Sequence, residues 1–238
     1  MITSEKGYKI LHKEMISELQ KLMVIETPHI TRKAQAGQFV IVKIDDKGER
    51  IPLTIADYDK DKGTITIIFQ ETGKTTSHLG SLNVDDRIAN ITGPLGHPTE
   101  IQNYGNVICI GGGVGIAPIY PIARTLKEVG NYVISIIGAR SKSLIFWEEK
   151  IRSVSNELIV CTDDGSYGRK CLVTEPLKEI LSDTKSNIAR VWAIGPAMMM
   201  KFVSGTTQPF NIPTIVSLNT IMIDGTGMCG GCRVSLKE

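Results

Sequence analysis

Four short runs in this 238-residue chain carry residue types suited to chemistry. Gly112-Gly113-Val114-Gly115-Ile116, with Pro118 two residues on, follows the apolar run Val107–Ile110 and opens a helix-forming segment. Gly113 and Gly115 permit a tight turn and leave no Cβ where a pyrophosphate would approach, and the helix offers unpaired N–H groups to the anion. The common dinucleotide fingerprint has glycine at its third small position. Here Pro118 stands there, a residue pre-shaped for a first helical turn. Glycine turns before helices are also simply structural, so neighbouring runs must decide. Arg50-Ile51-Pro52-Leu53-Thr54 offers a forked cation for phosphate, a rigid Pro52 and a Thr54 hydroxyl for a ring nitrogen. An ordinary strand with an exposed Arg would read the same. Gly73-Lys74-Thr75-Thr76 precedes a short helix whose N–H groups form another anion site, or else a simple cap by Thr75 or Thr76. Cys229-Gly230-Gly231-Cys232 presents two thiols on a turn, as iron–sulfur and zinc sites both require.

These runs need elements to hold them. Residues 1–100 alternate apolar and polar positions in about six short runs: Tyr8–Ile16, Leu19–Glu26, Gln38–Ile44, Ile51–Ala56, Thr64–Gln70 and Arg87–Ile91. With a helix at Thr76–Leu82, this predicts a six-stranded antiparallel barrel. Gly93-Pro94-Leu95-Gly96 reads as its closing turn and Gln102–Gly105 as a linker. Residues 101–217 change to alternating strands (Val107–Ile110, Tyr132–Ile137, Leu158–Cys161, Val191–Ile194, Thr214–Ser217) and helices (Ile116–Val129, Phe146–Ser153, Thr174–Leu181, Pro196–Val203). That order predicts a five-stranded parallel, doubly wound α/β sheet with ligands beyond the carboxyl ends of its strands. Gly111–Gly115, Gly138–Ser141, Asp163–Ser166 and Gly195-Pro196 all fall at those ends. Residues 218–238 form a cysteine-bearing terminal segment.

Composition narrows the partners. A net charge of +2 from 27 basic and 25 acidic residues gives no argument for nucleic acid or an anionic membrane surface. No apolar run approaches the roughly 20 residues that span a bilayer, and the N-terminus lacks the apolar centre of a secretory signal, so a cytoplasmic or organellar-matrix setting is expected. Five cysteines do not complete a disulfide framework. Cys109 and Cys161 read as small core residues and Cys171 as an inert loop residue. His12, His29, His78 and His97 lack partner spacing for catalysis, and Met198-Met199-Met200 reads as helix packing.

The succession R-x-P-L-T, G-K-T-T, G-P-L-G and G-G-G-V-G-I-A-P resembles the ferredoxin–NADP reductase superfamily, as does Ala36-Gly37-Gln38-Phe39-Val40. Arg50–Thr54, Thr162–Ser166 and Asp224-Gly225-Thr226-Gly227-Met228-Cys229-Gly230-Gly231-Cys232 resemble one branch more narrowly. That branch holds the FAD-containing small subunits of NADH-dependent reduced ferredoxin:NADP+ oxidoreductase (sulfide dehydrogenase β subunits), with dihydroorotate dehydrogenase electron-transfer subunits as relatives. The resemblance implies that Arg50, Pro52, Leu53 and Thr54 hold FAD, with Thr54 nearest the reacting ring. Ile68, Phe69 and Gln70 would line the flavin by backbone, and Gly73, Lys74, Thr75 and Thr76 would take its pyrophosphate. Gly112, Gly113, Val114, Gly115, Ile116 and Pro118 would meet NAD(H) or NADP(H), with Gly138, Arg140, Asp164, Gly195 and Pro196. Hydride would pass from nicotinamide to flavin, and single electrons would leave through a [2Fe–2S] cluster to a larger oxidoreductase subunit. Asp224, Cys229 and Cys232 supply three of the four cluster ligands the resemblance implies; the sequence reaches Glu238 without a third cysteine there. Ile194 stands where many superfamily members have a cysteine. Gly138-Ala139-Arg140-Ser141 leans towards NADP by charge and towards NADH by resemblance. The alternatives are a dihydroorotate dehydrogenase electron-transfer subunit, a non-catalytic nucleotide-binding regulatory subunit, and a structural zinc site at the thiols.

Overall fold

A computed structural model of the chain describes residues 7–183, 185–218, 220, 222 and 225–235. The amino-terminal strands are β1 (Tyr8–Met15), β2 (Gln20–Glu26), β3 (Phe39–Lys43), β4 (Arg50–Asp59), β5 (Thr64–Gln70), β6 (Arg87–Ile88) and β7 (Asn90–Leu95). Short helices α1 (Pro28–Thr31) and α2 (Lys74–Ser81) are interspersed. Among the described residues they form a seven-stranded antiparallel sheet in the order β6-β1-β2-β5-β4-β3-β7. Its two outermost strands are separated in the chain by Ala89 alone, whose N–H donates to the Ile44 carbonyl at 2.9 Å. Joining the two edge strands through Ala89 curls the sheet into a barrel. The sixth expected strand is thus two, split at Ala89. Alternation places Ile10, Met23, Ile25, Val40, Val42, Ile55, Ile65 and Ile67 inside the barrel. Gly93-Pro94-Leu95, expected as a turn, instead ends β7. The β3–β7 register breaks between Phe39 and Ile41, and a bulge is where a strand tolerates proline.

The second unit runs β8 (Asn106–Gly112), α3 (Ile116–Glu128), β9 (Tyr132–Ala139), α4 (Glu148–Ser153), β10 (Glu157–Thr162), β11 (Arg169–Lys170), α5 (Thr174–Ser182), β12 (Ile188–Ile194), α6 (Ala197–Thr207) and β13 (Thr214–Val216). Among the described residues the parallel sheet has the order β11-β10-β9-β8-β12-β13, six strands where five were expected. The addition is β11, a two-residue strand that no periodicity announces. Val107 and Cys109 face α3 and α4, while Ile108 and Ile110 face α5 and α6, as a buried parallel strand requires. From β8 the chain moves outward through β9, β10 and β11, then crosses to β12 on the other side. The switch point of the sheet therefore lies between β8 and β12.

Leu22, Ala56 and Ile68 of the barrel share one buried cluster with Ile116, Ala117 and Tyr120 of α3. The connection between the units is pinned by buried Asn131. Its amide donates to the Gln102 and Leu126 carbonyls at 2.8 Å, and its oxygen accepts the Tyr104 N–H at 2.7 Å.

Candidate functional site

Strand β4 changes partners half-way along. Arg50 to Thr54 pair with β3 (Lys43↔Arg50 through Phe39↔Thr54), while Ile55 to Asp59 pair with β5 (Ile55↔Ile67 through Asp59↔Thr64). Continuing the second ladder would set Thr54, Leu53 and Pro52 opposite Ile68, Phe69 and Gln70, and the described ladder stops short of them. Pro52 has no N–H to offer such a ladder, which suits a strand acting locally as an edge. The result is a slot with exposed Thr54 on one wall and the backbone of Ile68–Gln70 on the other. The Ile68 and Phe69 side chains are buried, in the interface and the barrel core respectively, so only their backbone is available to a ligand.

Beside the slot stands α2. Gly73 precedes it and cannot cap it with a side chain, and open space surrounds the position a Cβ would take. The Thr76 hydroxyl turns back to accept the N–H groups of Thr72 and Gly73 at 3.0 and 3.1 Å, shaping the turn without covering the helix end. First-turn N–H groups therefore face outward, next to exposed Lys74. Thr75 donates its hydroxyl to Glu49 at 2.8 Å, which ties this turn to the start of β4 and brings Arg50 alongside. The same contact sets the Glu49 carboxylate at this turn. The far end of α2 is held by Lys13, whose ammonium donates to the Gly80 and Leu82 carbonyls at 2.7 and 2.6 Å.

Across the interface, the turn Gly113–Gly115 touches β5. Gly113 has φ +54° with open space around it, a left-handed residue in the tight turn that was expected. Gly115 is glycine for another reason: a Cβ there would overlap the Ile194 carbonyl, so it lets the turn press onto the end of β12. Gly112 and Gly195 crowd against Met199 in the same way. Val114 is exposed, whereas Ile116 is fully buried. Gly138, next to last in β9, packs against Val173, and exposed Arg140 lies just past the strand. The Arg140 carbonyl accepts the Asp164 N–H at 3.1 Å, and Lys142 N–H donates to the Ser166 hydroxyl at 2.8 Å. Ser166 in turn donates side-chain and backbone bonds to the Asp164 carboxylate at 2.7 and 2.9 Å, holding its pKa below the ordinary value. The structure thus gathers Gly112–Pro118, Gly138, Arg140, Asp164, Gly195 and Pro196 at one end of the parallel sheet.

A group that sequence reasoning missed joins the two units. Asp57 of β4 accepts Arg124 Nη1 of α3 and Lys150 Nζ of α4, each at 2.6 Å. The Arg124 guanidinium lies 4.8 Å from the Tyr58 ring, and the Lys150 ammonium 4.1 Å from that of Trp147. Burial pushes the Tyr120 hydroxyl up, and the Asp57 carboxylate adds to it. These partners lie 67 and 93 residues apart, so no local pattern announces them.

Cys229 and Cys232 are exposed, and Gly231 N–H donates to Cys229 Sγ at 3.4 Å. Asp224 lies outside the described residues. Among the described residues no group of three or more His, Cys, Asp or Glu side chains is gathered for a metal, so the thiols are a partial donor set. The segment runs against the barrel: a Cβ on Gly225 would meet Ile41 Cδ1 of β3 at 2.8 Å. Cys171 lies in the loop between β11 and α5, as expected, but it is not left free there. It is buried, with its Sγ 3.0 Å from that of Cys161. Met199 and Met200 pack as expected, while Met198 is exposed.

Comparison with known proteins places this arrangement. Residues 8–99 match the model of the oxidoreductase FAD-binding domain family. A Thermotoga maritima protein named as a dihydroorotate dehydrogenase B (NAD(+)) electron transfer subunit homolog is 46% identical over 213 residues, 90% of this chain and 74% of its own. The Desulforamulus reducens dihydroorotate dehydrogenase B (NAD(+)) electron transfer subunit is 31% identical, covering 97% of this chain and 88% of its own. The chain belongs to the dihydroorotate dehydrogenase B electron transfer subunit family. A solved NADH-dependent reduced ferredoxin-NADP oxidoreductase matches this family member with TM-score 0.90 and 42% identity, over 98% of this chain and 83% of that one. Phthalate dioxygenase reductase, at 17% identity and TM-score 0.67, shares the fold. The electron transfer subunit described here is therefore an oxidoreductase whose barrel is an FAD-binding domain. Among the described residues no helix is long and apolar enough to cross a membrane.

Proposed function

We propose that this chain is the flavoprotein electron-transfer subunit of a cytoplasmic oxidoreductase, taking hydride from a nicotinamide dinucleotide and delivering electrons to a larger partner subunit. The observation that carries the reading is the parted β4–β5 ladder lying against the Gly113–Gly115 turn. One slot in the barrel and one switch point in the parallel sheet adjoin across a shared apolar interface.

The residues fit FAD. The backbone of Ile68–Gln70 would hold the ring edge, Pro52 and Leu53 would form the opposite wall, and the Thr54 hydroxyl would reach a ring nitrogen. Arg50, the α2 N–H groups from Gly73 to Thr76, and Lys74 would take the pyrophosphate. FAD, when bound, supplies the two-electron to one-electron conversion that no side chain here can perform. The protein's part is alignment: Gly112–Pro118 and Gly195-Pro196 would seat the nicotinamide half, and Gly138, Arg140 and Asp164 the adenosine half. NADH is favoured, because the family relatives are named for NAD(+); Arg140 then faces the adenosine rather than a 2′-phosphate.

Cys229, Cys232 and Asp224 would give three ligands to a [2Fe–2S] cluster. The contact of their segment with β3, the neighbour of Arg50–Thr54, suits an exit for electrons from the flavin slot. The partner is a dihydroorotate dehydrogenase-type or a ferredoxin:NADP+ oxidoreductase-type subunit. The named relatives favour the first and the structural likeness the second. Titration of the purified chain with FAD, followed by NADH- and NADPH-driven reduction of an artificial dye, tests the reading. Stoichiometric FAD uptake with faster turnover on NADH is expected. Failure to bind FAD refutes the flavin reading, and bound FAD without turnover would assign a scaffold role.

A further inference from the structure

Cys161, at the end of β10, and Cys171, just past β11, meet with their sulfurs 3.0 Å apart. Strand pairing sets this distance: Cys161 pairs in parallel with Arg169, which returns the chain beside the strand it has just left. Parallel neighbours normally need a connection of a dozen or more residues. Here residues 163–168 suffice, because Gly165 and Gly168 take φ of +76° and +62° and Gly168 lies directly on the Val160 carbonyl. The loop so folded carries Asp164 and Ser166. Neither thiol has a part in the flavin or nucleotide contacts.

We propose that Cys161 and Cys171 are a dithiol–disulfide pair, oxidised by hydroperoxides, whose closure resets the nucleotide loop 163–168. The link to nucleotide binding rests on the placement of Asp164 given above; formation of the disulfide does not. Cys171 is the attacking residue, being 8% exposed against 1% for Cys161. Its thiolate takes one peroxide oxygen, the O–O bond breaks, and one water leaves, giving a sulfenic acid. The Cys161 thiol then attacks that sulfur and expels a second water, so two thiols and one hydrogen peroxide give one disulfide and two waters. Burial pushes the Cys161 thiol well above its ordinary value, which makes it the slower first nucleophile and leaves Cys171 to meet the peroxide. Closing the sulfurs from 3.0 Å to about 2.05 Å draws Cys171 towards β10. Val173, two residues on, already fills the space over Gly138, where β9 meets the nucleotide end of the sheet.

The test treats the FAD-loaded full chain with hydrogen peroxide, then maps tryptic peptides without reductant. Cys161 lies on peptide 153–169 and Cys171 on 171–178, while Cys229 and Cys232 share peptide 202–233, so each pair is read separately. We expect 153–169 and 171–178 to be recovered cross-linked, the link to vanish with dithiothreitol, and both C171S and C161S to lack it. KM for NADH should rise roughly threefold or more on oxidation and return on reduction, with FAD content unchanged. Recovery of the two peptides singly alkylated, or of Cys171 as sulfinic acid without a link, overturns the pair. A cross-link with unchanged KM overturns the resetting of the loop. A reduced protein that binds neither NADH nor NADPH refutes the nucleotide reading and the loop's part in it, whatever the peptides show.

Discussion

Replacing Asp57 with asparagine keeps its size and removes its charge. Asp57 is 17% exposed and receives Arg124, at 21%, and Lys150, at 40%. The Lys150 bond is partly screened and contributes about 0–1 kcal/mol. The bond to Arg124 is better shielded, and a charge-assisted hydrogen bond is worth roughly 1.5–3 kcal/mol. Asparagine keeps one carbonyl oxygen but can serve only one cation well, so the net loss is about 2 kcal/mol. For a chain of this length that lowers the thermal midpoint by roughly 4–8 °C. Because Asp57 lies on the strand bearing Arg50–Thr54 and Arg124 on the helix that begins after Gly115, the loss falls on the joint between the two units. Differential scanning calorimetry of D57N, R124M and the double variant should therefore give strongly non-additive shifts. Stopped-flow reduction of bound FAD by NADH should slow in D57N while FAD affinity stays within about twofold. A midpoint within about 1 °C of the parent, or additive single effects, would refute Asp57 as the joint between the two units.

Three further outcomes follow from the site. Gly115→Ala drives a Cβ into the Ile194 carbonyl and should destabilise strongly, by about 3 kcal/mol or more, whereas Gly113→Ala enters open space at φ +54° and should cost only about 1 kcal/mol; urea titration ranks the two. Arg50→Ala should weaken FAD binding roughly tenfold or more by removing the forked cation, read by fluorescence titration, and Arg50→Lys should not fully restore it. Ser166→Ala removes a donor to Asp164, so its carboxyl should titrate closer to the ordinary 3.8 by carboxylate NMR. Its native pKa is depressed, so the support it gives the loop is complete above about pH 5 and lost only as pH falls through that depressed value. Loop protection against hydrogen exchange should accordingly be flat from about pH 5 to 8, once intrinsic rates are divided out.

What the sequence makes legible and what it hides divide along a physical line. Phosphate is bound by N–H groups of consecutive residues at a helix start, so Gly73–Thr76 and Gly112–Pro118 are visible as short strings. The strands are legible for the same reason, since period-two alternation is a property of neighbours. Alignment of two ligands is a different problem, because it depends on which strand pairs with which. The parted ladder between Thr54 and Ile68 comes from a change of partner along β4, and nothing in the string Arg50–Thr54 states it. Asp57 looks like any polar residue in a half-exposed strand until Arg124 and Lys150 arrive from 67 and 93 residues away. Cys171 reads as inert because β11 is too short to show a period, yet that strand brings its sulfur to Cys161. Gly115 is the instructive middle case: its type was foreseen, but its missing side chain makes room for the Ile194 carbonyl rather than for a ligand. Motif glycines thus serve packing and binding together, and only the register of distant strands tells the two apart. A binding defect caused by altering Gly115 is then a defect of the switch point itself, whereas one caused by altering Arg50 is a defect of contact. Stability and affinity should fall together in the first case, and affinity alone in the second.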